Sequence, residues 1–136
     1  MGQYNLDRIM KPRQVAVVGA SERTGSIGNA LMVNLLHGGF PGRVFPVNLK
    51  HRNVYGYPAY RSVAELDSGV DLAIIATPIH TVPEIIEECV ERKIGGAIVI
   101  SAGGKEVGKS GIEIEKKIDA LVRATGFRII GPNCLG

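Results

Sequence analysis

A glycine-rich segment near the N-terminus has the residue types and order of an anion-binding loop. It reads GASERTGSIG over residues 19–28, after an apolar β-branched run and before a stretch with helical periodicity. Glycines let the backbone approach an anion, and a helix N-terminus offers unpaired N–H groups and a positive dipole end. The loop is about two or three residues longer than GxGxxG, so it favours a phosphate without specifying a nicotinamide dinucleotide. The plain alternative is a strand-to-helix turn with no ligand.

A second segment of interest follows the second predicted strand and reads PVNLKHR over residues 46–52. Sites for NAD carry Asp or Glu at this point to hold the ribose diol. This chain instead has Lys50 and Arg52, which favour a phosphorylated ribose. The pattern excludes simple NAD use and leaves two ligands open, NADP with its 2′-phosphate and coenzyme A with its 3′-phosphate. A solvated lysine on a surface turn is the structural alternative.

Three further candidate segments follow later strands. Thr77 and Pro78 end the central strand, where proline turns the chain away from the sheet. Small residues, including Ser101 and Ala102, follow the next strand, and Asn133 follows the last one. A ligand lying across this edge of the sheet would contact all of them.

The potential nucleophiles and bases lack partners. His80 has no triad in reach, and Cys134 has no His-Asp or His-Asn pair to activate it. Cys89 lies in a predicted helix and is interpreted as a small core residue. The sequence therefore predicts no catalytic residue and no metal site.

Strands and helices alternate along the chain, which positions these segments. Strands are predicted at residues 14–19, 43–48, 71–77, 96–100 and 127–130, with a small edge strand at 57–60. Helices are predicted at residues 26–37, 83–93 and 111–125, with a turn at 62–66 capped by Ser62 and Glu65. This order predicts an α/β fold, a Rossmann-like doubly wound parallel sheet forming a single domain over residues 1–136.

Composition excludes several classes of protein. Apolar residues make up 45% of 136 residues and the net charge is +3, without a basic block, so nucleic acid is not an expected partner. Apolar runs are too short for a membrane span. Two cysteines form no disulfide framework, so a cytoplasmic location is expected. The last predicted strand is followed only by GPNCLG, which suggests the N-terminal part of a longer chain.

The motifs GAS, GSIG, PVNLK, ATP, GGAIVISAG and GPNCLG occur in an order that resembles a known family. The chain resembles the N-terminal CoA-binding domain of NDP-forming acyl-CoA synthetases. That group includes ADP-forming acetate–CoA ligases and the succinyl-CoA synthetase α subunit, and some protein acetyltransferases carry the same domain. The resemblance covers the chain from about Leu6 to Gly136.

The resemblance implies CoA or acyl-CoA as ligand. Thr24 to Gly28 would contact the CoA phosphates, and Lys50 would meet the ADP-phosphate end. The residues assigned to CoA are Gly19, Ser21, Thr24, Gly25, Ser26, Ile27, Gly28, Asn48, Lys50, Thr77, Pro78, Ser101, Ala102 and Asn133. The chain departs from the family at Ser101-Ala102, where the succinyl-CoA synthetase has Thr-Glu, and in its longer glycine loop.

The resemblance also implies a binding module that does not ligate CoA alone. The phosphohistidine and the nucleotide-grasping domain of the family lie outside the matched part. Expected partners are further domains or subunits of the parent synthetase and further copies of the chain. A synthetase or acetyltransferase parent stays open, as does a module that senses CoA. The alternative function is an NADP-binding domain of an oxidoreductase.

Overall fold

The computed structural model describes residues 7–67, 69–100 and 109–131, and within these it has five main strands in one parallel sheet. The strands are β1 (Gln14–Val18), β2 (Arg43–Val47), β3 (Asn53–Val54), β4 (Tyr57–Pro58), β5 (Leu72–Ile75), β6 (Gly96–Val99) and β7 (Arg128–Ile130). The helices are α1 (Ile27–His37), α2 (Val82–Glu91) and α3 (Lys109–Thr125), with 3-10 turns at Val63–Glu65 and Ile79–Thr81. The main sheet has the order β2-β1-β5-β6-β7, which confirms the predicted doubly wound fold.

The central strands are buried because helices cover both faces of the sheet. Val18 and Ile75 belong to a core that also includes residues of α2 and α3. Val17 and Ile74 point to the opposite face, where Met32 of α1 packs against them. A strand covered on both sides needs apolar residues at every position, which explains the continuous β-branched runs of the sequence.

Residues 57–60 do not extend the main sheet as an ordinary edge strand. β4 pairs antiparallel with β3, and the two form a separate small sheet. Only Tyr60 joins the main sheet, through a single parallel bridge to Val47 at the end of β2. This hairpin therefore lies beside β2, close to the end of the strand.

The capping box predicted for residues 62–66 is wrong. The turn is a 3-10 turn over Val63–Glu65, and the side chain of Ser62 makes no capping hydrogen bond. The Glu65 carboxylate accepts from the backbone N–H one residue before Ser62. A carboxylate from another element, Glu88 of α2, accepts from the backbone N–H of Ala64. A tertiary contact has replaced the local cap.

The face of α1 that packs on the sheet is centred on Gly28 and Met32, the two buried positions of the helix. Leu31, Leu35 and Leu36 are partly buried and pack against the same core. Ile27 is 41% exposed, so it lies outside that face although it is apolar.

Asp71 organises the amino-terminal edge of the sheet. Its carboxylate accepts hydrogen bonds from the backbone N–H of Arg13 at 2.8 Å and of Gln14 at 3.1 Å. The guanidinium of Arg8 donates to the same carboxylate at 3.0 Å and to the carbonyl of Val70 at 2.7 Å. Burial raises the pKa of Asp71, but these donors outweigh it and hold the pKa below its usual value.

We expect Asp71→Asn to lower the free energy of unfolding by about 1–3 kcal/mol at pH 7, because an amide NH₂ would face converging donors. Because the pKa of Asp71 is lower in the folded state, its carboxylate stabilises the fold at pH values above the unfolded pKa of about 3.9. That stabilisation is lost as the pH falls through the folded pKa. The difference in the free energy of unfolding between wild type and Asp71→Asn should therefore become smaller below about pH 4. Urea denaturation at several pH values measures it.

Asp119→Asn is the matched control, because Asp119 is exposed on α3. It should leave the free energy of unfolding within about 0.5 kcal/mol of wild type. A gap for Asp71→Asn that stays constant down to pH 3 would contradict the assigned role of its charge.

Candidate functional site

A cavity of about 950 Å³ lies at the carboxyl ends of β1, β2 and β5. The strand order changes direction between β1 and β5, which is where ligands of doubly wound sheets bind. Ten of the residues assigned to CoA line it, namely Gly19, Ser21, Gly25, Ser26, Ile27, Gly28, Asn48, Lys50, Thr77 and Pro78. Thr24 is not among the lining residues, and Ser101, Ala102 and Asn133 lie outside the described residues.

The glycine loop is held by a very close backbone contact between its two ends. A Cβ added at Gly28 would lie 1.8 Å from the carbonyl oxygen of Gly19. Gly19 itself has φ +93°, and a Cβ there would lie 3.1 Å from Cγ2 of Thr77. Both positions therefore require glycine, and the first turn of α1 packs directly on the end of β1.

The start of α1 leaves backbone donors available at the cavity. Ser26 is the N-cap, and its Oγ accepts from the N–H of Asn29 at 3.1 Å and donates to the carbonyl of Arg23 at 2.8 Å. Within the described part of the chain, the N–H groups of Ile27 and Gly28 have no acceptor. An anion in the cavity would supply one, with the helix dipole favouring negative charge.

Asn48 ties the glycine loop to the loop that carries Lys50. Its Nδ2 donates to the carbonyl of Ala20 at 2.8 Å. Its Oδ1 accepts from the N–H of Lys50 and of His51, both at 2.7 Å. Contact of Asn48 with a ligand stays a prediction, but its amide already has a positioning role that the sequence did not reveal.

Charged groups are unevenly distributed around the cavity. Lys50, Arg23 and Arg61 supply positive charge, and only Lys50 was foreseen. Arg52 does not line the cavity, so its predicted part in reading a phosphorylated ribose has no support in this geometry. Arg61 follows Tyr60, whose bridge to β2 is a non-local contact that no sequence pattern marks.

The α2 side of the cavity is acidic. Glu84 and Glu88 line it, and burial raises the pKa of Glu88, as does the neighbouring charge of Glu84. Hydrogen bonds from the backbone N–H groups of Ala64 and Val63 lower the pKa of Glu88, but the two other effects outweigh them. A phosphate is therefore favoured on the side of the cavity formed by the glycine loop and the Lys50 loop, which carry Arg23 and Lys50.

The exit of β5 is fixed by a threonine pair. The hydroxyl of Thr81 lies 2.7 Å from that of Thr77 and 2.6 Å from the carbonyl of Pro78, close enough to donate to either. His80 is exposed, in line with a surface residue. Thr77 and Pro78 thus form a rigid part of the cavity wall.

Cys89 is a core residue, as predicted. It is fully buried, and burial together with the charge of Glu88 raises its thiol pKa to about 12. A protonated, inaccessible thiol is not a nucleophile. Cys134 lies outside the described residues.

The described residues contain neither a metal-binding cluster nor a helix that could span a membrane. Among residues 7–67, 69–100 and 109–131, no group of three or more His, Cys, Asp or Glu could hold a metal ion. No helix in the same ranges is long and apolar enough to span a membrane.

A family model for a CoA-binding domain matches residues 13–136. The chain belongs to the CoA-binding domain family. The prediction of a CoA-binding domain is thereby confirmed. CoA is accordingly the ligand class of this domain.

Curated relatives carry similar segments within longer chains. The ADP-forming acetate–CoA ligase I of Archaeoglobus fulgidus is 44% identical over 131 residues, which are 96% of this chain and 19% of the ligase. The ADP-forming acetate–CoA ligase I subunit α of Pyrococcus furiosus is 38% identical, over 97% of this chain and 29% of the subunit. The chain thus spans less than a third of these relatives. Neither is an oxidoreductase by name, and the NADP alternative has no support.

Solved structures give the same family assignment. The dinucleotide-forming acetyl-coenzyme A synthetase 1 of Ca. Korarchaeum cryptofilum, in complex with phosphate and ADP, matches with a TM-score of 0.85 and 36% identity. The match covers 96% of this chain and 28% of the synthetase chain. The parallel sheet and its helices are therefore those of a synthetase domain.

We expect Gly28→Ala to destabilise the chain, because its Cβ would clash with a backbone carbonyl that cannot rotate away. Overpacking costs about 1–3 kcal/mol, which exceeds the gain in helix propensity of about 1 kcal/mol. The melting temperature should fall by several degrees, measured by circular dichroism.

Asn34→Ala on the exposed side of the same helix is the control, and it should leave the melting temperature unchanged or raise it. A Gly28→Ala variant as stable as wild type would show that the helix start is not held by this contact.

Proposed function

We propose that this domain binds CoA with its diphosphate at the glycine loop and its 3′-phosphate at Lys50. The observation that carries the proposal is the arrangement at the cavity. The N–H groups of Ile27 and Gly28 have no acceptor in the described chain, and Lys50 lies on the loop that Asn48 fastens beside them. No carboxylate stands between Asn48 and Arg52, where a ribose diol would be held. Family membership supports the ligand, and the geometry supports its orientation.

We further propose that the domain serves an ADP-forming acyl-CoA synthetase, with CoA as substrate rather than resident cofactor. Relatives that are 37–44% identical include acetate–CoA ligases, a 4-hydroxybutyrate–CoA ligase and a trans-feruloyl-CoA synthase. Their acyl groups differ greatly, yet this segment stays similar. CoA, which the names of all these relatives have in common, is thus a suitable ligand for this segment. Other domains or subunits would select the acyl group.

A cytoplasmic location fits this function. Cys89 is a free, buried thiol in the described structure, which is usual in a reducing compartment. The domain alone would bind CoA without ligating it, because the described residues that line the cavity offer backbone donors and cations but no activated nucleophile.

Ligand choice is the first test. CoA should raise the melting temperature, because a ligand present at 100 times its Kd stabilises the folded state by about 2.7 kcal/mol. NADH and NADPH at the same concentration should produce no such shift. Differential scanning fluorimetry measures all three. Equal shifts with CoA and NADPH would contradict the assignment.

The position of the 3′-phosphate is the second test. Lys50→Ala should weaken CoA binding by roughly tenfold to a hundredfold, since a hydrogen bond to a charged group contributes about 1.5–3 kcal/mol. The same substitution should hardly change the affinity for dephospho-CoA, which lacks that phosphate. Calorimetry on the four combinations forms a double-mutant cycle.

Arg52→Ala is the matched control. It also removes one positive charge, two residues from Lys50, but Arg52 does not line the cavity. It should leave both affinities near wild type. Equal weakening of CoA and dephospho-CoA by Lys50→Ala would place the 3′-phosphate elsewhere.

A further inference from the structure

Tyr55 occupies an unusual position in the hairpin that joins β3 and β4. Tyr55 has φ +51° and the following Gly56 has φ +82°, which are the signs of a two-residue type I′ turn. The first of these positions favours Asn, Asp or Gly, because a bulky side chain is strained at positive φ. Because tyrosine does not favour this turn, any advantage of the residue lies in the contacts that it makes outside the turn.

One backbone and one side-chain contact join Tyr55 to the first half of the glycine loop and to the first turn of α1. The backbone N–H of Tyr55 donates to Oε2 of Glu22 at 2.7 Å, and Nδ2 of Asn29 donates to the Tyr55 hydroxyl. The same Nδ2 group donates to the carbonyl of Ser21 at 3.3 Å. Val54, next to Tyr55, is only 1% exposed, so the hairpin is anchored in the core.

Asn29 also belongs to the first turn of α1, where its N–H is capped by Ser26. A contact that fixes the Asn29 side chain therefore fixes the turn whose N–H groups face the cavity. The Glu22 carboxylate is held by the hairpin and does not line the cavity. This matters because a free carboxylate near a bound diphosphate would repel it.

We propose that Tyr55 is a positioning residue that holds the glycine loop and the start of α1 in the arrangement that binds the CoA diphosphate. Tyr55 does not line the cavity itself, so its side chain acts through Asn29, whereas its backbone N–H holds Glu22 whatever the side chain. The proposal rests on the proposed function for its ligand, but the contacts exist in the free chain.

Two variants separate positioning from stability. Tyr55→Phe removes only the hydroxyl, and Tyr55→Asn removes the ring while placing a residue that tolerates positive φ. Both should weaken CoA binding by roughly two- to tenfold, the range for one neutral hydrogen bond. The melting temperature of Tyr55→Asn should stay the same or rise. Dephospho-CoA should lose the same factor as CoA, because the two ligands share the diphosphate.

A readout without ligand keeps this test separate from the proposed function. Hydrogen exchange at the amides of Asn29 and Ala30, which are bonded to Ser26, should be faster in both variants than in wild type. Tyr57→Phe is the control, since that hydroxyl has no hydrogen-bond partner in the described chain. It should match wild type in affinity and exchange.

CoA affinity, amide exchange and melting temperature together distinguish failure of the proposed function from failure of the positioning role. If wild type fails to bind CoA, the proposed function is wrong, and unchanged exchange in both variants would still overturn the role of Tyr55. If wild type binds CoA and both variants bind it equally well, the positioning role is wrong. A loss of affinity matched by a drop in melting temperature in both variants would also overturn it, because the role would then be structural.

Discussion

The close contact between Gly28 and the carbonyl of Gly19 is the constraint on which the rest of the site depends. A side chain at Gly28 would begin 1.8 Å from that oxygen, so the helix can pack there only with glycine. The contact sets the start of α1 against the end of β1, at the wall of the cavity that Ile27 and Gly28 line. Because it joins backbone to backbone, it fixes backbone donors rather than side chains, and in the proposed binding mode these donors would meet the ligand's charge.

A cavity built largely from backbone needs its loops held together by polar contacts. Asn48 bridges the glycine loop and the loop of Lys50 with three hydrogen bonds, and Tyr60 pairs with the end of β2. These contacts convert two separate strand ends into one surface. The backbone of Lys50 is therefore held near the helix start although its side chain is exposed.

The sequence was sufficient to predict the parallel sheet, because buried strands have a composition that few other elements share. The strand ends, the glycine loop and Lys50 were likewise visible, since each depends on residues close in sequence. The place of Arg61, the bond from Asn48 to Ala20 and the contacts of Tyr55 could not be predicted, because they join residues more than ten positions apart or depend on how a hairpin packs. The failed cap at Ser62 has the same cause: Glu88, from a distant helix, supplies the acceptor instead.

The two edges of the sheet have different thermodynamic roles. At the amino edge the donors that converge on Asp71 are satisfied within the chain, and the contact stabilises the fold without any ligand. At the carboxyl edge the chain leaves the N–H of the buried Gly28 without an acceptor among the described residues, which costs stability unless water or an anion supplies one. In the proposed binding mode an anion would supply that acceptor, so ligand binding would add stability at this edge. Since Asn48 joins both loops at this edge, an anion bound to one loop also restrains the other.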